Sequence, residues 1–140
     1  MTETITGLTG VPDYTRTRFA EKRSDYCLLI PIINEGGRIL SELDRAAKAG
    51  IPEVCDIILC DGGSTDGSMD PAGLIARRVN TLLVKTGPGR QGAQLRMGLW
   101  EALQRGYKGI LTIDGNNKDS IESVPLFIQK LEQGYDLVQG

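Results

Sequence analysis

The chain has no histidine among its 140 residues. That absence removes the Ser-His and Cys-His nucleophile pairs. A structural zinc site would want four Cys or His ligands at short spacing, and with no histidine the three cysteines, Cys27, Cys55 and Cys60, do not supply them. An odd number of cysteines, each in or beside a predicted buried strand, reads as small core residues of a reduced, cytosolic protein and not as a disulfide framework. No apolar run approaches the roughly 18 residues of a membrane span, and Met1-Thr2-Glu3-Thr4 lacks the basic and apolar regions of a signal peptide. The expected location is therefore cytoplasmic, with any membrane association supplied by further segments or a partner. An excess of positive charge is also lacking: the formal net charge is −2, so bulk electrostatics argues against nucleic acid as a partner and gives acidic membranes no purchase. An anionic ligand would have to be held locally.

What is present suits one globular domain. Residues 1–24 are polar, show neither strand nor helix periodicity and read as an arm; residues 25–140 read as the domain. Tyr26 to Ile33 is the first predicted strand, with Pro31 loosening its pairing, and Asn34-Glu35-Gly36-Gly37 turns the chain into a helix over 38–49 whose Ile39, Leu43, Ala46 and Ala47 share a face. Asp56-Ile57-Ile58-Leu59-Cys60-Asp61 is a second strand, buried on both faces, followed by an acidic glycine turn and a helix around 68–78. A third strand, Thr81 to Val84, leads through Gly87-Pro88-Gly89-Arg90-Gln91-Gly92 into a helix whose Leu95, Leu99, Trp100 and Leu103 are expected to face the core. The fourth strand runs from Lys108 to Asp114, Ser123 is a candidate helix N-cap, and a fifth strand begins at Tyr135. Strands alternating with helices of this length predict an α/β fold, a mostly parallel Rossmann-like sheet with helices on both faces.

Two strands end in acid. Asp61 and Asp114 are each followed by glycine, and parallel strands would bring both to one sheet edge, where open α/β sheets bind ligands. An aspartate before glycine also serves simply to form a turn. Asp61 could accept from a base or ribose, whereas Asp114, Asn116 and Asp119 offer the oxygen ligands that Mg²⁺ or Mn²⁺ prefers. Gly87, Gly89 and Gly92 fit G-x-G-x-x-G between strand and helix, with Asp114 at the end of the next strand, so an NAD(P)-binding domain is a rival reading. Lys85, Arg90 and Arg96 are the cations beside this loop, either solvated or aimed at phosphate. Asn34 and Glu35 are loop residues or ligand contacts.

Four segments together carry a family resemblance: Leu29-Ile30-Pro31-Ile32-Ile33-Asn34-Glu35, Cys60-Asp61-Gly62-Gly63-Ser64-Thr65-Asp66-Gly67, Gly92-Ala93-Gln94-Leu95-Arg96-Met97-Gly98-Leu99, and Ile113-Asp114-Gly115-Asn116. In order and spacing they resemble the inverting family 2 glycosyltransferases of GT-A fold, nearest to the branch with polyprenyl-phosphate glycosyltransferases. The resemblance implies a nucleotide-diphosphate sugar donor, with Pro31, Asn34, Glu35, Asp61 and Gly63 around the nucleoside; Arg90 and Arg96, by their place beside the glycine loop, are the candidates for its phosphates. It also implies a cation at Asp114, with Asn116 where the second acid of Asp-x-Asp stands and Asp119 as a further ligand. The acceptor would be a hydroxyl or phosphate, polyprenyl phosphate among the choices. Gly62 replaces a frequent second acid and Gln91 a lysine found in some members. Family members continue past this point to an acceptor site and a general base, so the base is expected beyond Gly140 and the chain reads as a donor-binding half. Exposed core surface on such a half favours association, homo-oligomers included. A non-catalytic module that keeps the fold for partner contact is the third reading.

Overall fold

The computed structural model describes residues 2–116 and 121–133. Asp119 and the strand expected from Tyr135 lie outside the described residues. Six strands form one sheet: β1 Thr2–Ile5, β2 Tyr14–Arg18, β3 Tyr26–Ile32, β4 Asp56–Asp61, β5 Thr81–Lys85 and β6 Gly109–Thr112, in the order β1-β2-β5-β4-β3-β6. The last four in sequence are mutually parallel, and β1 and β2 form an antiparallel hairpin added along β5. Helices α1 Gly37–Lys48, α2 Pro71–Ala76, α3 Gln91–Gln104 and α4 Val124–Glu132 connect or follow the parallel strands. Among the described residues no helix is long and apolar enough to cross a membrane.

The apolar runs divide between two cores by the two-residue period of a strand. Leu28, Ile30, Ile32, Ile57 and Leu59 pack with Ile39, Leu43 and Ala46 of α1, Leu74 of α2, and Val124 and Ile128 of α4. Cys27, Leu29, Ile58 and Cys60 point the other way, to Met97 and Ala102 of α3 and to Tyr14 and Tyr107. Helices therefore cover both faces, as the continuous apolar strands require. The three cysteines are buried and free.

Helix α3 turns a different side to the sheet than its large apolar residues suggest. Ala93, Gln94, Met97, Gly98, Glu101 and Ala102 face inward, while Leu99 and Leu103 are 41% and 64% exposed. The cause is close approach. A Cβ on Gly98 would stand 2.6 Å from Cys60 Sγ and 3.1 Å from Leu29 Cδ1, so only a small residue fits where the helix crosses the strands.

The stretch expected to be an arm supplies two strands. In β2, Tyr14, Arg16 and Arg18 alternate toward α3, where buried Glu101 accepts 2.7 Å from Tyr14 Oη, 2.5 Å from Arg16 Nε and 3.1 Å from Arg18 Nη2. Strand alternation is present there but is written in polar residues, because their buried partner is a carboxylate. Burial alone would raise the Glu101 pKa, yet the hydrogen bonds from Arg16, Tyr14 and Arg18 outweigh it and hold the group below the usual carboxylate range. Ser123, expected as an N-cap, has helical backbone angles, closes a short 3-10 turn and makes no side-chain cap bond.

Connectivity places the site. From β3 the chain steps outward through α1 to β4 and through α2 to β5, then α3 carries it back across to β6 on the far side of β3. The reversal lies between β3 and β6, and open α/β sheets bind ligands at the carboxyl ends of the strands flanking such a reversal.

Candidate functional site

Pro31 opens this crevice. The β3–β6 ladder pairs Tyr26 with Gly109 through Leu29 with Thr112 and goes no further. Its last bond runs from the Ile113 N–H to Leu29 O at 3.2 Å. Strand residues two apart present their polar groups to the same neighbour, so the next β3 donor toward β6 belongs to residue 31, and proline has none. On its other side β3 stays zipped to β4 through Ile32 and Asp61, and the Gly62 N–H bonds Ile32 O at 2.8 Å. One seam closes while the other parts.

The parted seam is a polar cavity of about 200 Å³, lined by Pro31, Ile32, Ile33 and Glu35 from β3 and its loop, Asp114, Gly115 and Asn116 after β6, and Gln91 and Gln94 from the start of α3. Gly115 is dictated by packing: a Cβ there would lie 2.1 Å from Ile32 Cγ2. Gln91 Nε2 donates to Asp114 Oδ1 at 3.2 Å. Glu35 forms an ion pair with Arg38 Nε at 3.0 Å. Thus Pro31, Glu35, Asp114 and Asn116, all singled out in the sequence, come together in one place.

The remaining expected residues do other things in this structure. Asp61 is buried, its Oδ2 accepting from the Ser64 N–H at 2.9 Å and its Oδ1 from Ser64 Oγ at 2.5 Å, and it does not line the cavity. It is a turn former at the end of β4, with β3 lying between it and the β6 end that carries Asp114, and only Asp114 lines the cavity. Gly63 has φ +107 within that turn, a conformation that suits glycine. Asn34, itself at φ 49, stitches the loops after β3 and β4 together: its N–H donates to Ser64 Oγ at 2.9 Å and its Oδ1 accepts from the Thr65 N–H at 2.8 Å. Arg96 Nε donates to Gly10 O at 2.9 Å, on the side of the amino-terminal hairpin, and Lys85 Nζ to Gly87 O at 2.9 Å. Arg90 is exposed at the N-cap of α3.

The glycine loop has structural uses of its own. A Cβ on Gly87 would stand 2.9 Å from the Asp13 backbone nitrogen, where the loop hydrogen-bonds the hairpin, and one on Gly89 would stand 2.5 Å from Ala93 Cβ. This loop follows β5, two strands away from the topological reversal. The dinucleotide reading therefore loses the close-approach role of its first two glycines to contacts within the chain.

Nucleophilic cysteine chemistry is absent among the described residues. Burial pushes the Cys27 and Cys55 thiols up to about 12 and raises Cys60 as well, leaving no thiolate near neutral pH. No three His, Cys, Asp or Glu side chains among the described residues cluster closely enough to hold a metal alone. Asp114 and Asn116 are hard oxygen donors of the kind Mg²⁺ and Mn²⁺ take with additional oxygens from water or a phosphate.

Sequence reasoning missed Gln94 as a contributor. It is 4% exposed, and its Nε2 reaches Ile32 O at 2.7 Å and Cys60 O at 2.9 Å. A glutamine in the second turn of a helix carries no local signal of this; its place on the inward face of α3 is what reveals it.

No family model matches the chain. It is similar to "Glycosyltransferase AglJ" of Haloferax volcanii, 28% identical over 114 residues, which are 81% of this chain and 35% of that protein. It is also similar to proteins named undecaprenyl-phosphate 4-deoxy-4-formamido-L-arabinose transferase from Serratia proteamaculans, 26% identical over 118 residues, and Pseudomonas syringae pv. syringae, 29% over 119, each match covering 79% of this chain. The chain spans about a third of the length of these curated relatives. It is a homologue of glycosyltransferases, in agreement with the resemblance carried by its four motifs.

Proposed function

We propose that this chain is the donor-binding part of a glycosyltransferase, taking a nucleotide-diphosphate sugar into the β3–β6 crevice and serving its transfer to a hydroxyl or phosphate acceptor. The names of two relatives point to polyprenyl phosphate as the acceptor class. One observation carries the reading: the loop after β3 and the acid after β6 line a single polar cavity at the reversal of strand order. That position is the one ligands favour in open α/β sheets.

Asp114 and Asn116 would hold Mg²⁺ or Mn²⁺, with Asp119 as a further ligand. Bound there, the cation would supply positive charge beside a diphosphate leaving group. Pro31 keeps the crevice open, and the loop tied together by Asn34, Asp61 and Ser64 forms its shoulder. Gln91, already hydrogen-bonded to Asp114, is the first helix residue a bound diphosphate would meet, and the N–H groups at the start of α3 favour an anion there.

The test is thermal unfolding of the chain with UDP- and GDP-sugars, each with and without Mn²⁺. At ligand about 100-fold above Kd, linkage contributes about 2.7 kcal/mol, a rise of several degrees for a domain of this size. The rise should need both sugar nucleotide and cation and should vanish in Asp114→Asn. No shift with any sugar nucleotide, or a shift with NAD(H) alone, overturns the reading.

A further inference from the structure

Helix α3 begins with two glutamines one turn apart, and they reach opposite walls of the crevice. Gln91 bonds Asp114 on the β6 side, and Gln94 bonds Ile32 O, the last carbonyl of β3, and Cys60 O, the last but one of β4. Ile32 O already accepts from the Gly62 N–H, so Gln94 adds a second bond at the last rung of that ladder. Gly62 supplies the room. A Cβ on it would lie 3.1 to 3.2 Å from the amide carbon, oxygen and nitrogen of Gln94, pressing on the face of the amide.

We infer that Gln94 is a positioning residue: it keeps the β3–β4 seam shut to its end, so that the crevice opens only between β3 and β6 and the Pro31–Glu35 wall stands at a fixed place opposite Asp114. The reasoning is one of competition at β3. This strand separates from β6 at Pro31, and the loop beyond it carries Asn34 and Glu35 and is tethered to the β4 side by the bonds of Asn34 with Ser64 and Thr65. Those tethers are exposed, and exposed hydrogen bonds open easily. The two bonds made by Gln94 are buried and are therefore the ones that hold the strand ends together when the loop moves. Gly62 belongs to the same device, since a Cβ there would press on the Gln94 amide at 3.1 to 3.2 Å and shift it against its two bonds.

Two measurements test this, and only the second rests on the donor reading. The first is amide hydrogen exchange in Gln94→Met, which keeps the volume and removes the donors, and in Gly62→Ala, which keeps the donors and displaces them. In both variants the N–H of residue 62, compared by protection factor so that the side-chain change is removed, should exchange about tenfold faster, the factor expected from losing roughly one net hydrogen bond, while the Asn80 N–H, bonded to Ile57 O at the far end of β4, stays at its wild-type rate. An unchanged Gly62 N–H, or equal acceleration at Gly62 and Asn80, overturns the inference, the latter by showing ordinary loss of global stability. The second is sugar-nucleotide affinity, expected to fall about tenfold in Gln94→Met. Unchanged affinity in Gln94→Met overturns the positioning role. If the wild-type chain binds no sugar nucleotide, the donor reading fails and the exchange result alone decides about Gln94.

Discussion

Gln91 Nε2 lies 3.2 Å from Asp114 Oδ1, so the first residue of α3 reaches across to the acid at the end of β6. A cation taken up by Asp114 competes with that amide for the same oxygen. Exposed hydrogen bonds of this kind are worth about 0.5–1.5 kcal/mol. Gln91→Ala should therefore tighten Mn²⁺ binding by a few fold, measured by calorimetric titration; weaker binding in the variant would mean that Gln91 assists the cation.

Pro31 gives a second prediction. Pro31→Ala restores an N–H on the β6 side, and the parallel register offers Ile113 O as its acceptor. One more rung, about 1 kcal/mol, should raise the unfolding midpoint slightly while narrowing the mouth of the crevice and weakening sugar-nucleotide binding. A variant of lower stability with unaltered binding would show that proline does not set the opening.

A third concerns the crossing of α3 over β3 and β4. Gly98→Ala gains about 1 kcal/mol of helix propensity but drives a methyl against Cys60 Sγ and Leu29, an overpacking cost of typically 1–3 kcal/mol. Packing should win, lowering stability. Cys60→Ala in the same chain removes the sulfur and should restore part of the loss; denaturant unfolding of the three variants decides it.

The hairpin junction supplies a pH dependence. Glu101 titrates below its unfolded value, so its contribution is present above about pH 4.3, the ordinary glutamate range, and is lost as pH falls through the lowered folded value. Glu101→Gln should flatten this acid limb of stability. At neutral pH it should cost about 3 kcal/mol, because Arg16, 11% exposed at its side chain, loses its buried partner. An acid limb of unchanged slope would place the titration elsewhere.

The sheet was legible because its parallel strands are written as unbroken apolar runs, Leu28 to Ile30 and Ile57 to Cys60, each ending in glycine-rich turns. The hairpin was not legible: Arg16 and Arg18 look solvated until Glu101, 85 residues from Arg16, is brought under them. The face of α3 was misread for a related reason, since Gly98 and Ala102 win the inward positions by being small and Leu99 and Leu103 are left outside. At the site, Pro31, Glu35, Asp114 and Asn116 line one cavity. Asp61 stands outside it, because the glycines after it allow Ser64 to fold back onto its carboxylate. Which use an acid beside glycine serves depends on what the next residues can donate, and here a hydroxyl stands three positions on.

The most direct test of the account is paramagnetic relaxation by Mn²⁺ in the presence of a UDP- or GDP-sugar, read on the amide resonances of the chain. The account requires selective broadening at Ile33, Gln91 and Gly115, which surround the β3–β6 crevice, and its loss in Asp114→Asn. Broadening centred on Gly10, Asp13 and Gly87 instead, or no broadening that depends on the sugar nucleotide, would contradict it.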